Sequence, residues 1–207
     1  MIKVALPKGR IADKTLQIFE TFIGEPLHFE DRKLILIKDK FQFMLVRNQD
    51  VPIYVERGAA DIGVVGLDVL EEQQNSLVRL LDLEFGKCKI AVGSPNHYKM
   101  DFSNPNLKIA TKMINITKRF FAQKAMSVEI IKLYGSIELA PLVGMADAIV
   151  DLVETGDTMR QNNLKIDEII MEISAYLVAN PNSFYMQKLE ILEIQNHFKT
   201  QIKSKRS

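Results

Sequence analysis

The sequence has little of the residues that form disulfides, thiol-based active sites or dense metal clusters. It holds one cysteine, Cys88, three histidines and no tryptophan among 207 residues. A single cysteine excludes an internal disulfide, and a catalytic thiol needs a histidine partner. The histidines, at positions 28, 97 and 197, lack the spacing of a metal site or a catalytic triad. We therefore interpret all three as structural or exposed residues.

An excess of charge of either sign and a long apolar run are also absent. Lysine and arginine total 27, aspartate and glutamate total 26, and the formal net charge is +1. This balance argues against a general nucleic-acid or membrane-surface binder, which presents a basic field. No apolar run approaches the ~18 residues that a membrane span needs, and the N-terminus lacks a secretory signature. A cytoplasmic location is expected.

Hydrophobic residues make up 47% of the chain, which is ordinary for a folded protein with one large or two small domains. Short apolar runs alternate with amphipathic segments, and this alternation indicates an α/β fold. The stretch Ser94 to Pro105, rich in Pro, Asn and Ser, is the best candidate boundary. Residues 168–179 are interpreted as a strand that returns to the first lobe, and residues 183–202 as a closing helix. We predict lobe I over 1–93 and 181–207, and lobe II over 94–180.

The stretch from Asp147 to Leu164 has the pattern of a phosphate-binding loop. A short apolar run is followed by Asp151 and Glu154, then by Thr-Gly-Asp-Thr at 155–158, and then by a helix-like segment ending near Leu164. A helix N-terminus offers free N–H groups, a glycine lets the backbone approach an anion, and threonines add hydroxyl donors. The alternative is an ordinary strand–turn–helix with Thr or Asp as its N-cap. Spacing alone leaves both interpretations open.

A second strand–loop–helix unit opens the chain. Residues 2–6 are predicted to form a strand, and the loop Pro7-Lys-Gly-Arg10 precedes an amphipathic helix. Lys8 and Arg10 are suited to binding phosphates, the arginine bidentately. Without further information, a lone Lys-Gly-Arg is more simply a solvated turn.

Several blocks of the sequence resemble the ATP phosphoribosyltransferase family, whose members catalyse the first step of histidine biosynthesis. Acidic residues followed by Thr-Gly-x-Thr also resemble the phosphoribosyl-diphosphate loop of phosphoribosyltransferases in general. The matching blocks occur in the family's order and span nearly the whole chain: Leu6 to Arg10, Arg47 to Glu56, Gly66 to Glu72, Ala110 to Lys112, Gly135 to Pro141 and Ala148 to Gly156.

The resemblance implies a reaction in which adenine N1 of ATP attacks C1 of 5-phosphoribosyl 1-diphosphate and diphosphate leaves. It implies Mg²⁺ as cofactor, carried by the diphosphate, with no protein ligand assigned. The implied catalytic residues are Arg32, Arg47, Asp151 and Glu154. The implied phosphoribosyl-diphosphate site is Asp151, Glu154, Thr155, Gly156, Asp157 and Thr158. The implied ATP and diphosphate contacts are Lys8, Gly9, Arg10, Asp68 and Glu138, although Asp68 alone is most simply a helix N-terminal charge.

The resemblance also implies a fold and partners. The family's catalytic core resembles the two-lobed type II periplasmic binding proteins, which implies an active site in the cleft between the lobes. Longer members carry a C-terminal domain that binds histidine, whereas this chain ends after one helix and resembles the short form. The short form is implied to act as a hetero-oligomer with a regulatory subunit similar to histidyl-tRNA synthetase, and a homodimer is a possible form of the chain alone.

Two positions depart from the family pattern. Met113-Ile114 stand where Tyr-Pro is expected, so we assign Met113 no substrate contact. Asn163 stands where glycine is expected, and Asn is the next-best residue for a left-handed turn.

Two rival functions remain. One is a non-catalytic two-lobed sensor of small anions or nucleotides, which has no need of paired acidic residues beside Thr-Gly-x-Thr. The other is a phosphoribosyltransferase that uses another base.

Overall fold

The computed structural model describes residues 1–101, 104 and 106–204 of the chain. Their contacts divide into two compact units, one formed by Met1–Gly86 with the segment that starts at Ser174, the other by Lys87–Ile173. Each unit is built on its own β-sheet with helices packed against it. The predicted two-part α/β organisation is therefore confirmed.

The first unit contains six strands, numbered in chain order: β1 (Ile2–Pro7), β2 (Ile35–Lys38), β3 (Phe41–Val46), β4 (Ile62–Gly66), β5 (Val78–Asp82) and β11 (Ala175–Ala179). Its helices are α1 (Arg10–Ile23), α2 (Val51–Glu56), α3 (Leu67–Gln73), α7 (Pro181–Met186) and α8 (Lys188–Ser204). The strand order is β2-β3-β1-β4-β11-β5. Strands β3, β1 and β4 are parallel, and the pairs that involve β2, β5 and β11 are antiparallel.

Aromatic side chains fill the core of the first unit. The ring of Phe19 on α1 lies 5.3, 5.0 and 5.1 Å from the rings of Phe41, Phe43 and Phe198, each in edge-to-face geometry. All four side chains are fully buried. The apolar residues of α1 recur at helical spacing, and this places one face of the helix against the sheet. Gly24 then ends the helix at φ 82°, a left-handed conformation that glycine adopts without steric cost.

The central strands of this sheet carry continuous apolar runs because both of their faces are covered. Every residue of β1 except Lys3 is buried, and all of β4 is buried. Helix α2 packs closely on β4 at Gly63, where a Cβ would lie 2.8 Å from the Val55 side chain and 2.9 Å from that of Val51. The predicted hairpin of β2 and β3 is confirmed.

The second unit contains five strands: β6 (Cys88–Pro95), β7 (Lys108–Thr111), β8 (Glu129–Lys132), β9 (Ala148–Val153) and β10 (Leu164–Ile173). Its helices are α4 (Ile114–Gln123), α5 (Leu139–Leu142) and α6 (Asp157–Gln161). The strand order is β10-β6-β9-β7-β8, with β8, β7 and β9 parallel and β6 antiparallel to both neighbours.

The chain crosses between the units at residues 86/87 and 173/174, rather than at the predicted 93/94 and 180/181. The first crossing precedes β6 because this strand pairs with β9 and β10 of the second sheet. The return segment predicted as one strand, 168–179, is two strands, β10 in the second sheet and β11 in the first. The predicted linker from Ser94 begins inside β6, and its residues 102, 103 and 105 lie outside the described residues.

Two helices also differ from the prediction. The helix predicted from about residue 117 to 125 begins earlier and ends earlier, as α4. The single closing helix predicted over 183–202 is two helices, α7 and α8, and Leu189, predicted on the apolar face, is 82% exposed. Ile194 and Phe198 do face the core as expected. None of the helices in the described part of the chain is both long enough and apolar enough to span a membrane.

Candidate active site

Three parallel strands of the first unit end at one edge of the sheet. Strand β1 is followed by Lys8, Gly9 and Arg10, strand β3 by Arg47, and strand β4 by the helix that carries Asp68. The register pairs Pro7 with Val46, and the Lys8 amide donates to the Val46 carbonyl at 3.1 Å. The predicted residues of both loops are therefore neighbours at the carboxyl edge, where α/β sheets bind ligands.

The first unit also holds a cavity of about 570 Å³ beside this edge. Three predicted site residues line it, Lys8, Gly9 and Arg32. The remaining charged lining residues are Asp13, Glu20, Glu30, Asp31 and Lys33, and the other lining residues are Ala12, Leu16, Gln17, Leu27, His28, Phe29, Leu34 and Leu45. Sequence reasoning did not predict the contribution of His28, because a lone histidine in a loop carries no spacing signal.

Arg32 has an unusual backbone conformation for a long side chain. Its φ is 61°, in the left-handed region, and the turn is closed by a hydrogen bond from the Lys33 amide to the Glu30 carbonyl at 3.0 Å. Its side chain is exposed on the cavity wall. A long side chain is uncommon in this conformation, which six other non-glycine residues of the described chain also adopt.

Asp68 is buried rather than presented to solvent. It is 8% exposed and lies in the first turn of α3. A Cβ on Gly66 would overlap its carboxylate, so glycine at 66 makes room for this side chain. The amide of Gly66 also donates to Asn48 Oδ1 at 3.4 Å. Asp68 therefore belongs to the packed edge of β4, which matches its interpretation as a helix N-terminal charge.

In the second unit, the predicted phosphate loop joins β9 to α6. Gly156 has φ 80°, which glycine adopts freely, and α6 begins at the next residue. The Thr155 hydroxyl donates to Asp157 Oδ2 at 2.5 Å. Arg160 forms an ion pair with Asp157 and donates to the Thr155 carbonyl at 3.4 Å. The strand, glycine turn and short helix confirm the predicted local structure.

The hydrogen bond from the Thr155 hydroxyl, followed by the nearby Arg160 guanidinium, lowers the pKa of Asp157 below its usual value. Thr155, Asp157, Thr158 and Arg160 are all exposed, whereas Met159 is buried against Gly93 of β6. The loop is thus anchored from below by an apolar contact and carries its polar groups outward. Arg160 was not predicted, although its i, i+3 spacing from Asp157 is the spacing of paired charges on a helix.

The remaining predicted residues of this unit also lie at the carboxyl edge of its parallel strands. Asp151 is half-buried near the end of β9, Glu154 follows that strand and is exposed, and Glu138 directly precedes α5. Lys112 follows β7, and its Nζ lies 3.4 Å from Asp151 Oδ1. The sequence indicates Lys112 only as part of a block that matches the family, and it does not predict this contact.

The two departures from the family pattern have clear local structures. Asn163 has φ 54°, which confirms the expected left-handed turn. The loop helix ends at Gln161 rather than near Leu164, because Leu164 begins β10. Met113 is 3% exposed, and its amide donates to the Thr111 hydroxyl at 2.9 Å.

Two α/β units linked by two crossings define the architecture of the type II periplasmic binding proteins. The aliphatic sulphonate-binding protein SsuA from Escherichia coli matches 99% of this chain and 74% of its own, with a TM-score of 0.67 at 12% identity. This likeness shows the fold alone, and it confirms the predicted fold class.

Proteins with higher sequence identity show to which family the chain belongs. The family model described as ATP phosphoribosyltransferase matches residues 47–200. The ATP phosphoribosyltransferase of Wolinella succinogenes is 66% identical over 198 residues, 96% of each chain. That of Helicobacter hepaticus is 62% identical over 205 residues, 99% of this chain and 100% of its own. The structure of the ATP phosphoribosyl transferase (HisG:HisZ) complex from Thermotoga maritima matches 99% of this chain and 100% of its own, with a TM-score of 0.86 at 32% identity.

The chain belongs to the ATP phosphoribosyltransferase family. It spans nearly the whole length of these relatives. The rival interpretation as a non-catalytic sensor is not favoured, since relatives at 59–66% identity carry the name of the enzyme.

Proposed function

We propose that this chain transfers the phosphoribosyl group of 5-phosphoribosyl 1-diphosphate to adenine N1 of ATP, the first step of histidine biosynthesis. The C1–O bond to diphosphate breaks, the N1–C1 bond forms, and diphosphate leaves. N1 already carries a lone pair, so the attack needs no strong base. The protein has to position two anionic substrates and disperse charge. Family membership over nearly the whole chain is the observation that carries this proposal.

We assign the 5-phosphate of the sugar to the loop of Thr155, Gly156, Asp157 and Thr158. The left-handed Gly156 and the outward-facing hydroxyls support this assignment. Because Arg160 already reaches the Thr155 carbonyl and Asp157, its guanidinium is placed to meet an anion that enters the loop. Helix α6 is too short to contribute a strong dipole, so the backbone amides and hydroxyls of the loop carry the binding.

Asp151 and Glu154 are assigned to the ribose hydroxyls and to the positive charge that develops on the sugar. Asp151 lies near the carboxyl end of β9, and Glu154 directly follows the strand, next to the phosphate loop. A phosphate bound at 155–158 therefore brings its ribose toward carboxylates from the same segment. Charged acceptors make strong hydrogen bonds to hydroxyl groups.

The basic residues of the first unit are assigned to the phosphates of ATP and to the leaving diphosphate. Lys8 and Arg32 line one cavity, and Arg10 and Arg47 stand at the adjoining strand ends. Gly9 and Asp68 complete this edge. Glu138, in the second unit, is assigned to the adenine amino group. Arginine suits diphosphate because its planar fork binds two oxygens together.

Mg²⁺ fits this protein as a companion of the diphosphate. The described residues contain no group of three or more His, Cys, Asp or Glu side chains that could hold a metal ion. Diphosphate oxygens are ligands that Mg²⁺ favours, and the bound ion would neutralise charge on the leaving group. The lysine and arginine side chains of the first unit then bind the remaining negative charge of the diphosphate.

A regulatory subunit is the proposed partner. The similar chain from Thermotoga maritima was solved as a HisG:HisZ complex, and it matches the present chain end to end. We propose that this chain acts in the same way, as the short form, in the cytoplasm where ATP is supplied. Feedback inhibition by histidine would then come through the partner, so the isolated chain should be weakly active and insensitive to histidine. Full inhibition of the purified chain by histidine would contradict this.

The test follows the ultraviolet absorbance of the adenine ring with ATP, phosphoribosyl diphosphate and Mg²⁺, with pyrophosphatase added to draw the reaction forward. A change that requires both substrates establishes the transferase, and stimulation by the regulatory subunit establishes the short form. Thr158→Ala should raise KM for phosphoribosyl diphosphate, whereas Thr200→Ala, which removes an exposed helical hydroxyl bonded to the Asn196 carbonyl, should leave it unchanged. Ligand binding without product under either condition would favour the sensor.

A further inference from the structure

Lys112 and Asp151 meet at the carboxyl edge of the second sheet. Strands β7 and β9 are parallel, and their register pairs Ala110 with Ile149 and Thr111 with Val150. Continued by one residue, this register places Lys112 beside Asp151, and the Lys112 Nζ lies 3.4 Å from Asp151 Oδ1. The contact therefore follows from strand pairing rather than from the chance position of two surface side chains.

The backbone on the lysine side of this contact is held by buried hydrogen bonds. The Thr111 side chain is fully buried and donates to the Val150 carbonyl at 2.7 Å. The same hydroxyl accepts a hydrogen bond from the Met113 amide at 2.9 Å. Lys112 lies between the two bonded residues, so its Cα is held next to β9.

The Lys112 ammonium provides the charge that lies beside the buried oxygen of the Asp151 carboxylate. Its Oδ1 is buried and has no hydrogen-bond partner within the described residues, and the Lys112 ammonium lies beside it. The side chain as a whole is 23% exposed, so its exposed surface belongs to atoms other than Oδ1. A buried carboxylate oxygen without compensation is costly. The ammonium thus supplies the charge beside the buried oxygen, while another part of the side chain stays exposed to solvent.

The exposed part of Asp151 lies on the face of the sheet that carries the phosphate loop. Side chains alternate between faces along a strand, so Asp151 shares its face with Ile149 and Val153. Those two residues pack in one cluster with Met159 of α6. Asp151 and the loop helix therefore occupy the same side of β9.

We propose that Lys112 is a positioning residue for the phosphoribosyl substrate, acting by holding the Asp151 carboxylate oriented toward the ribose hydroxyls. This inference rests on the proposed function, since it deepens the assignment of Asp151 to the sugar. Lys112 itself makes no bond to the reacting atoms. Its replacement should therefore weaken the use of phosphoribosyl diphosphate and leave the use of ATP unchanged.

The test compares Lys112→Met, Lys112→Arg, Asp151→Asn and the double variant Lys112→Met/Asp151→Asn with the wild-type chain. Lys108→Met is the matched control, because Lys108 lies on the same strand and contacts Glu129 at 3.9 Å, with both side chains at least half exposed. KM for each substrate and kcat are measured, together with the rise in unfolding temperature that phosphoribosyl diphosphate causes. If Lys112→Met does not fold, Lys112→Gln takes its place.

We expect Lys112→Met and Asp151→Asn each to lower kcat/KM for phosphoribosyl diphosphate about tenfold, the change expected for one hydrogen bond to a charged group. The double variant should be no worse than Asp151→Asn, Lys112→Arg should retain activity, and Lys108→Met should match wild type. Wild-type kinetics for Lys112→Met, a loss in its unfolding temperature alone, or losses that multiply in the double variant would each overturn the proposal.

The ligand-induced shift separates this inference from the proposed function. A wild-type chain that makes no product, alone or with the regulatory subunit, but is still stabilised by phosphoribosyl diphosphate would refute the transferase. In that case a smaller shift in Lys112→Met supports the positioning role, and an equal shift overturns it. Absence of both product and stabilisation would overturn both proposals.

Discussion

Replacing Arg32 by glycine should separate stability from activity. Arg32 lies on the wall of the cavity in the first unit with φ 61°, a conformation that an L-residue adopts at a cost of roughly 1–2 kcal/mol. Glycine has no such cost, but it gives the unfolded chain more freedom, which opposes folding by roughly 0.5–1 kcal/mol. Arg32→Gly should therefore leave the free energy of unfolding unchanged or raise it by about 1 kcal/mol.

The same change should reduce turnover. If Arg32 binds the leaving diphosphate, the variant loses hydrogen bonds to a charged group, each worth about 1.5–3 kcal/mol. If such a bond forms only in the transition state, its loss lowers kcat roughly ten- to hundredfold. Arg32→Lys keeps the charge but not the planar fork, so it should recover only part of the loss.

The assay pairs steady-state kinetics with chemical denaturation, and Gln74→Gly is the matched control. Gln74 also has a long exposed side chain in the first unit, with φ 56°, at the end of α3. It should show the same small change in stability and unaltered kinetics. Wild-type kcat in Arg32→Gly would remove Arg32 from the catalytic residues. An equal loss of kcat in Gln74→Gly would show that the effect is general and not specific to the cavity.

Three further changes test other parts of the structure. Gly66→Ala and Asp68→Ala should both lower kcat/KM for ATP, because a Cβ at 66 would overlap the Asp68 carboxylate; full activity in Gly66→Ala would contradict this. Gly63→Ala should cost roughly 1–3 kcal/mol of stability in denaturant unfolding, because its Cβ would meet a valine of α2 at 2.8 Å. Thr155→Val should raise the pKa of Asp157 in an NMR titration, since the Thr155 hydroxyl is the largest cause that lowers it, and an unchanged pKa would show that the ion pair with Arg160 suffices.

Local signals were enough to predict the strand–loop–helix units of the site. The loop after β1 and the loop after β9 each combine a buried apolar run, a glycine with positive φ and the start of a helix. These features depend on neighbouring residues only, so the sequence carries them directly. The family resemblance then supplied the chemistry that the spacing left open.

The path of the returning chain was not predictable from the same signals. Residues 164–173 and 175–179 are both strand-like, and only their partners distinguish them, since β10 pairs with β6 and β11 with β4 and β5. The break at Ser174 depends on distant groups. Its hydroxyl donates to Asp82 Oδ1 at 2.6 Å, and its carbonyl accepts from the Leu67 amide at 2.9 Å.

The same limit applies to the side chains that support the site. The residues expected to contact the substrates could be predicted from the sequence, whereas the residues that support them could not. Lys112 can be recognised as a site residue only from the parallel register of β7 with β9. In this register Thr111 is hydrogen-bonded to Val150, which is 39 residues away in the sequence. A lysine after a strand has no local feature that separates it from a solvated one. Its pairing with a half-buried aspartate makes it a candidate for function, because the buried oxygen of that aspartate has a neighbouring charge only while the strands stay in this register.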